Sequence, residues 1–356
     1  MLYGATRYGG GVDAGTIFKL NKDGSTYNVI HRFTGATGTG SLPTAGVIEG
    51  SDGRLYGRTL KGGGSDGATI FRLNRDGTDF MILYDSAVSG GNQFYAYSGL
   101  IEGSDGRLYG NSSGDGDHAA GTVFSLNNNG SGYVVLHHFD TSGDGNYPEG
   151  GVIEASDGRL YGTTSYGGAF DSGVLFRIDK NGSGYSILHQ FNSATNDAYY
   201  PLGDLHEGPG GMLFGVTYFG GSDDSGTVYI IDRDGGGFVI LHSFLDSQRA
   251  GQNPNATLIR GPDGGLYGTA VYGATYGCGS IFRIAPITLT IVKEISGYRV
   301  RITGTMGQRY AIERTGALPS GWMEIGNAEN MTGTAEFLDT SGDNVQKFYR
   351  CRLTLP

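Results

Sequence analysis

Hydrophobic residues in this chain come in short bursts, each alternating or concentrating β-forming side chains before a cluster of glycine, aspartate or serine closes it. Between Arg54 and Gly106 the bursts are Leu55-Thr59, Ala68-Leu73, Phe80-Tyr84 and Gly99-Gly103. None carries the 3.6-residue spacing that buries one face of a helix, so the pattern predicts four strands. A glycine-rich loop, Leu60-Gly67, joins the first pair, and the hairpin turn Asn74-Arg-Asp-Gly77 joins the second, with glycine free to take positive φ. The longest connection, Asp85-Ser98, leads to the fourth strand, which turns tightly through Ser104-Asp-Gly106 into a new round.

That round is a repeat. Ser51-Asp-Gly-Arg-Leu-Tyr-Gly57 returns at Ser104-Gly110 and Ser156-Gly162, with looser copies at Pro209-Gly215 and Pro262-Gly268 and a partial one at Leu2-Tyr-Gly4. The aromatic residues Tyr3, Tyr56, Tyr109, Tyr161, Phe214 and Tyr267 stand 53, 53, 52, 53 and 53 residues apart. Four antiparallel strands in such a period match one propeller blade, whereas stacked parallel coils need a shorter unit without hairpin turns. The expected fold is all-β: a six-bladed β-propeller over residues 1–286, with five blades as the alternative, followed by a small β-sandwich over 287–356. Only 22 of the 24 strands of six blades are recognisable, so either Thr288-Glu294 completes the last blade or the ring is open.

In such a meander the tight turns fall on one rim and the glycine-rich and long loops on the other. The long-loop rim carries the variation between copies and is the expected working face. Tyr8, Lys61, Gly114, Tyr166, Phe219 and Tyr272 share one position there, and Tyr95, Tyr97, Tyr147, Tyr199 and Tyr200 enlarge the aromatic surface. Flat aromatic rings suit the apolar faces of sugars, although the same residues would serve equally to pack one blade on the next. Pro43, Pro148, Pro201 and Pro254 read as loop stiffeners.

Recurring residues read as structural. His31, His137, His189 and His242 share a strand position a blade apart, too far for a common metal ion, and are expected to bond backbone between blades. Asp13, Asp66, Asp171 and Asp224 are expected to cap their glycine turns. Asp232-Arg-Asp-Gly235 is a hairpin turn without the later acid of a calcium loop, and no helix follows the glycine runs to cradle phosphate. Departures from the repeat are better candidates for chemistry. The third copy places Asp115, Asp117 and His118 in its loop, other loops add Asp85, Glu149, Asp204 and His206, and the second copy adds Arg58 and Lys61. Glycosidic cleavage needs two carboxylates roughly 5 to 9.5 Å apart. The candidate acid is Glu149 with Asp115 or Asp85 as partner, and solvated loop charges are the plainer reading of the same residues.

Composition narrows the partners. The 356 residues include 67 glycines and 23 tyrosines and carry a net charge of -10 without a basic cluster, which argues against nucleic acid. No apolar run spans a bilayer and no leader is evident, so the protein is cytosolic or its export signal lies outside this sequence. Cys278 and Cys351 alone make neither a disulfide framework nor a metal site; one bridge or two separate thiols both fit. No cofactor is expected, and the chain is read as a monomer.

Gly-x-Ile-Glu-Gly-Ser-Asp-Gly-Arg-Leu-Tyr-Gly-Thr-Thr, then Gly-Gly, Gly-x-x-Phe-Arg-Leu, Asp-Gly and Leu-His-x-Phe, resembles the GloVer tandem repeat of Gloeobacter and Verrucomicrobia-type bacteria over residues 1 to about 285. Tyr310-Ala-Ile-Glu-Arg-Thr315, Gly321-Trp322 and Phe348-Tyr-Arg350 resemble a C-terminal module of secreted proteins from the same bacteria. The resemblance implies an exported, often surface-anchored propeller and supplies no catalytic residues. The functional expectation is a secreted carbohydrate-active propeller that binds, and in one version cleaves as a glycoside hydrolase, a polysaccharide on its long-loop face. The alternative is an adhesion or protein-interaction propeller without enzymatic activity.

Overall fold

The computed structural model describes residues 1–64, 67–86, 98–141, 143–195, 198–245, 251–274 and 277–285, and beyond these 288–294, 297–303, 309–315, 323–329, 334–339 and 347–354. Asp66, Tyr95, Tyr97 and Trp322 lie outside the described residues. The repeat folds as six antiparallel sheets, the blades of a β-propeller. In the second blade the strand Leu55–Lys61 pairs with Thr69–Leu73, which pairs in turn with the outer strand Met81–Asp85. The inner strand is split into Ser41–Pro43 and Ile48–Glu49, each pairing with one end of Leu55–Lys61. The fifth and sixth blades repeat the split, with Ala198–Pro201 and His206–Glu207, then Gln252–Pro254 and Ile259–Arg260.

Of the prolines expected to stiffen loops, Pro43, Pro201 and Pro254 belong to the upper half of the inner strand, and Pro148 follows the isolated bridge of Asn146 to Tyr166. The residue before each proline, Leu42, Tyr147, Tyr200 or Asn253, has φ of 53 to 60°. Its backbone N–H donates to the preceding blade, to Ala14, Ala120, Ser172 and Ser225 carbonyls at 2.8, 2.7, 3.1 and 2.8 Å. A glycine meets each proline ring (Gly15, Gly121, Gly173, Gly226), and a Cβ there would collide with it. Loop and next blade are thus locked together at four junctions.

Apolar cores lie between blades rather than within them. Tyr161 and Leu175 of the fourth blade pack with Leu213, Tyr229 and Ile231 of the fifth, and the other junctions repeat the arrangement. The glycine of each Leu-Tyr-Gly lies under the aromatic ring of the third strand, as Gly57 under Phe71, so no larger residue fits. The histidines do act between blades, but through ring stacking where backbone bonds were expected. His31 lies 4.1 Å from Phe80, His137 3.9 Å from Tyr185 and His189 3.9 Å from Phe238, each on the next blade.

The first and last blades carry three strands each among the described residues. Thr288–Glu294 does not complete the last blade; it pairs along its whole length with Gly297–Thr303. The C-terminal strands form two three-stranded sheets sharing a small cluster around Val300 and Ile312. Cys278 and Cys351 are not bridged.

Candidate functional site

On the tight-turn rim nearly every polar group of the repeat is spent on structure. Asp52, Asp105, Asp157 and Asp263 each accept the hydroxyl of the tyrosine four residues on, at 2.7, 2.7, 2.8 and 3.0 Å. Three of those tyrosines, Tyr56, Tyr109 and Tyr161, are fully buried, and burial with the adjacent carboxylate raises their pKa. The fifth copy lacks the aspartate and has Phe214, which needs no acceptor. Glu102, Glu154 and Glu207 reach back one blade to the backbone N–H and hydroxyl of Ser51, Ser104 and Ser156 at 2.6 to 2.9 Å. Lys180 pairs with Glu154 at 2.5 Å, Arg233 with Glu207 at 3.2 Å, and Arg75 with Glu49.

The opposite rim differs in kind. Across the fourth and fifth blades aromatic rings follow one another: Tyr147 meets Tyr166 edge to face at 6.0 Å, Tyr166 meets Tyr200 edge to face at 4.8 Å, and Tyr200 lies tilted against Phe219 at 5.8 Å. Tyr218 touches both Tyr200 and Phe219, Tyr199 stacks on Phe219 at 5.4 Å, and Tyr272 of the sixth blade lies close enough to Tyr218 to help raise that phenol's pKa. Tyr147, Tyr166 and Tyr272 are 40 to 49 % exposed, far above the buried tyrosines of the other rim. The positive φ before Pro148 and Pro201 sets the backbone at Tyr147 and Tyr200, so the belt is built on the same device that joins the blades.

Glu149 sits inside this belt. It is half-buried, accepts the Ser165 hydroxyl at 3.3 Å and lies close enough to Tyr200 to help raise that phenol's pKa. Burial pushes the Glu149 carboxyl above its ordinary range, with the Ser165 bond opposing. Ser165 also donates to the Pro201 carbonyl at 3.2 Å, which ties the acid to the next blade.

The other sequence candidates lie elsewhere. Asp115 is 7 % exposed in the third blade's loop, where burial raises its pKa, and it takes a position held by glycine in the other copies (Gly62, Gly167, Gly220). Asp85 accepts the Gly64 N–H at 2.6 Å. The residues at its strand position in the next two blades do the same, His138 for Asp117 N–H at 3.1 Å and Gln190 for Ala169 N–H at 2.6 Å. It is therefore a loop cap. Among the described residues no hydrogen bond joins Glu149 to Asp115 or Asp85.

Arg58 is 1 % exposed, over the Phe124 ring at 5.4 Å, and donates to the Ser98 carbonyl at 3.2 Å. Burial lowers its pKa to about 9. It belongs to the junction of blades two and three rather than to the rim. Lys61, at the end of the strand Leu55–Lys61, and His118, in the third blade's loop, are both exposed. Tyr8, 57 % exposed beneath Arg7, stands on the first blade, apart from the belt. Asp204 accepts the Gly151 N–H between blades, and His206 lies at the tight-turn end of its blade, paired with Phe214. Asp13, Asp171 and Asp224 cap Gly9, Gly167 and Gly220 as expected. Tyr218 and Ser165 belong to the site and were not singled out from sequence. Their signal was a strand-end position held by Leu60, Ser113 and Val271 in other copies. Among the described residues no three His, Cys, Asp or Glu side chains gather as a metal would require.

Fold and rim together define a β-propeller with one structural rim and one aromatic rim. The chain belongs to the Gloeobacter/Verrucomicrobia repeat family, whose model matches residues 1–210 and again 151–347. No curated protein matches the sequence. Among solved structures it is similar to a chain of a nidogen/laminin complex, with 14 % identity, 80 % of this chain and 93 % of that one covered, and a TM-score of 0.47. It is also similar to a putative TolB from Agrobacterium tumefaciens, at 14 % identity, 79 % and 89 % coverage and a TM-score of 0.46. A gluconolactonase, XC5397 from Xanthomonas campestris, matches at 17 % identity, 71 % and 79 % coverage and a TM-score of 0.40. Likeness of this degree says nothing about activity. Among the described residues no helix is long and apolar enough to cross a membrane.

Proposed function

We propose that this propeller binds a polysaccharide along the aromatic belt of its fourth to sixth blades, as a secreted or surface protein. The carrying observation is the contiguous run Tyr147, Tyr166, Tyr200, Tyr218, with Tyr272 near Tyr218, of which Tyr147, Tyr166 and Tyr272 are 40 to 49 % exposed. Packing alone does not call for it, because the rings of the inter-blade cores, such as Tyr161 and Phe191, are fully buried, whereas Tyr147, Tyr166 and Tyr272 are 40 to 49 % exposed. A belt of rings with polar hydroxyls offers stacking to pyranose C–H faces and hydrogen bonds to their edges. The net charge of -10 favours a neutral or cationic glycan over an acidic one.

Glu149 is a carboxyl on this face whose pKa burial raises, the direction in which a glycosidic acid must be shifted. Cleavage requires a second carboxylate at its opposite side, and Asp115 is the buried acid of the neighbouring blade. Affinity electrophoresis against a panel of neutral polysaccharides tests binding. Retardation should appear for at least one glycan and weaken about tenfold in Tyr166→Ala and Tyr272→Ala. Equal retardation of wild type and both variants would remove the belt from the reading. New reducing ends that vanish in Glu149→Gln would extend it to hydrolysis, and binding without product would leave a lectin-like or adhesive propeller.

A further inference from the structure

We propose that the sixth blade accepts an extended strand from another polypeptide as its outer strand, a site independent of the glycan face. Blades one to five each carry an outer strand, from Asn28–Arg32 to Val239–Ser243. In the sixth, Ser280–Ile284 pairs only with Leu266–Tyr272 among the described residues, and the next segment of chain, Thr288–Glu294, is committed to Gly297–Thr303. Ser280–Ile284 is thus an edge strand, the template on which a peptide adds by main-chain hydrogen bonds.

The shape beside that edge says what fits. An outer strand does more than finish a sheet. At the junction of blades four and five, Phe238 and Ile240, two residues apart and so on one face, pack with Leu188 against Tyr161, Leu213 and Ile231. At the junction of blades one and two, Phe80 and Ile82 do the same. The corresponding positions at the fifth junction are Phe214, Leu241, Leu266 and Ile284, and there they line a pocket of about 240 Å³. The pocket is the space of the missing aromatic-x-aliphatic pair. On the opposite face of the same edge strand Ile281 is 79 % exposed, whereas Ile17, Ile70, Val123, Leu175 and Val228 are fully buried at its position. In those blades that residue faces the outer-strand histidine or tyrosine across the ladder. The occupant is therefore an extended segment with an aromatic residue, an aliphatic one two positions on, then Leu-His, the pattern of the chain's own outer strands.

The probe is a fluorescein-labelled peptide of residues 182–191, which carries Tyr185, Ile187, Leu188 and His189. Anisotropy should show saturable binding to the full chain. The peptide with Tyr185→Ala and Ile187→Ala should bind about tenfold weaker or less, as should wild-type peptide to Ala285→Trp, which fills the pocket mouth. Hydrogen exchange should slow at residues 280–284 on peptide addition. Absence of saturable binding, equal affinity of the doubly substituted peptide, or unchanged exchange at 280–284 would each overturn the proposal, and the two peptides give that answer even if the Trp variant fails to fold.

Discussion

The two rims of this propeller are made from the same repeat and spend their side chains in opposite ways. On the tight-turn rim, Asp157 accepts from Tyr161, Ser156 is held by Glu207, and Arg233 reaches both Ser156 and Glu207, so the polar groups of two neighbouring blades satisfy one another. On the loop rim, Tyr147 and Tyr166 meet edge to face, and they and Tyr272 keep 40 to 49 % of their surface exposed. Tyrosine is thus a core residue at one rim and a surface residue at the other. In the Leu-Tyr-Gly copies the residue four positions earlier supplies what burial demands: Asp52, Asp105 and Asp157 accept the hydroxyls of the buried Tyr56, Tyr109 and Tyr161.

Substitution should separate the two kinds most sharply. Tyr161→Ala empties a fully buried site and should cost about 3–5 kcal/mol in a urea melt. Tyr166→Ala, 40 % exposed, should stay within about 0.5 kcal/mol of wild type while lowering glycan retardation. Similar losses from both would erase the distinction between rims. Next in size is Tyr161→Phe, which keeps the ring but strips the bond to Asp157 and should cost about 1 kcal/mol.

The smallest effect is the most diagnostic of Glu149. Its folded pKa is raised by burial, so charging it costs the folded state. That penalty is complete above the folded pKa and absent below the unfolded value of about 4.3. Glu149→Gln should therefore raise the urea midpoint slightly at pH 7 and leave it unchanged near pH 4. A gain that persists at pH 4 would point to packing instead of charge.

Much of the architecture was legible because the repeat states its own geometry. Leu-Tyr-Gly and the Phe of the third strand recur at fixed spacing since the ring must lie over the glycine, as Phe71 does over Gly57. The belt was legible in part: Tyr166, Phe219 and Tyr272 share a repeat position, and the structure brings them to Tyr147 and Tyr200. Arg58 was not, because an arginine in a strand reads as solvent-facing, whereas this one fills a junction above Phe124. Asp85 read as a departure because its position varies among Arg32, Asp85, His138 and Gln190. Capping a loop N–H needs only an acceptor, so aspartate, histidine and glutamine serve alike. The split inner strand was hidden by its prolines, which the carbonyl-to-N–H bonds between blades make tolerable.

The division of labour between the rims is tested most directly by hydrogen exchange on the full chain, with and without the glycan that the panel selects. Slowed exchange should be confined to residues 144–150, 164–168, 199–203, 217–221 and 270–273. Protection centred on the Ser-Asp-Gly turns, with the aromatic belt unchanged, would contradict it.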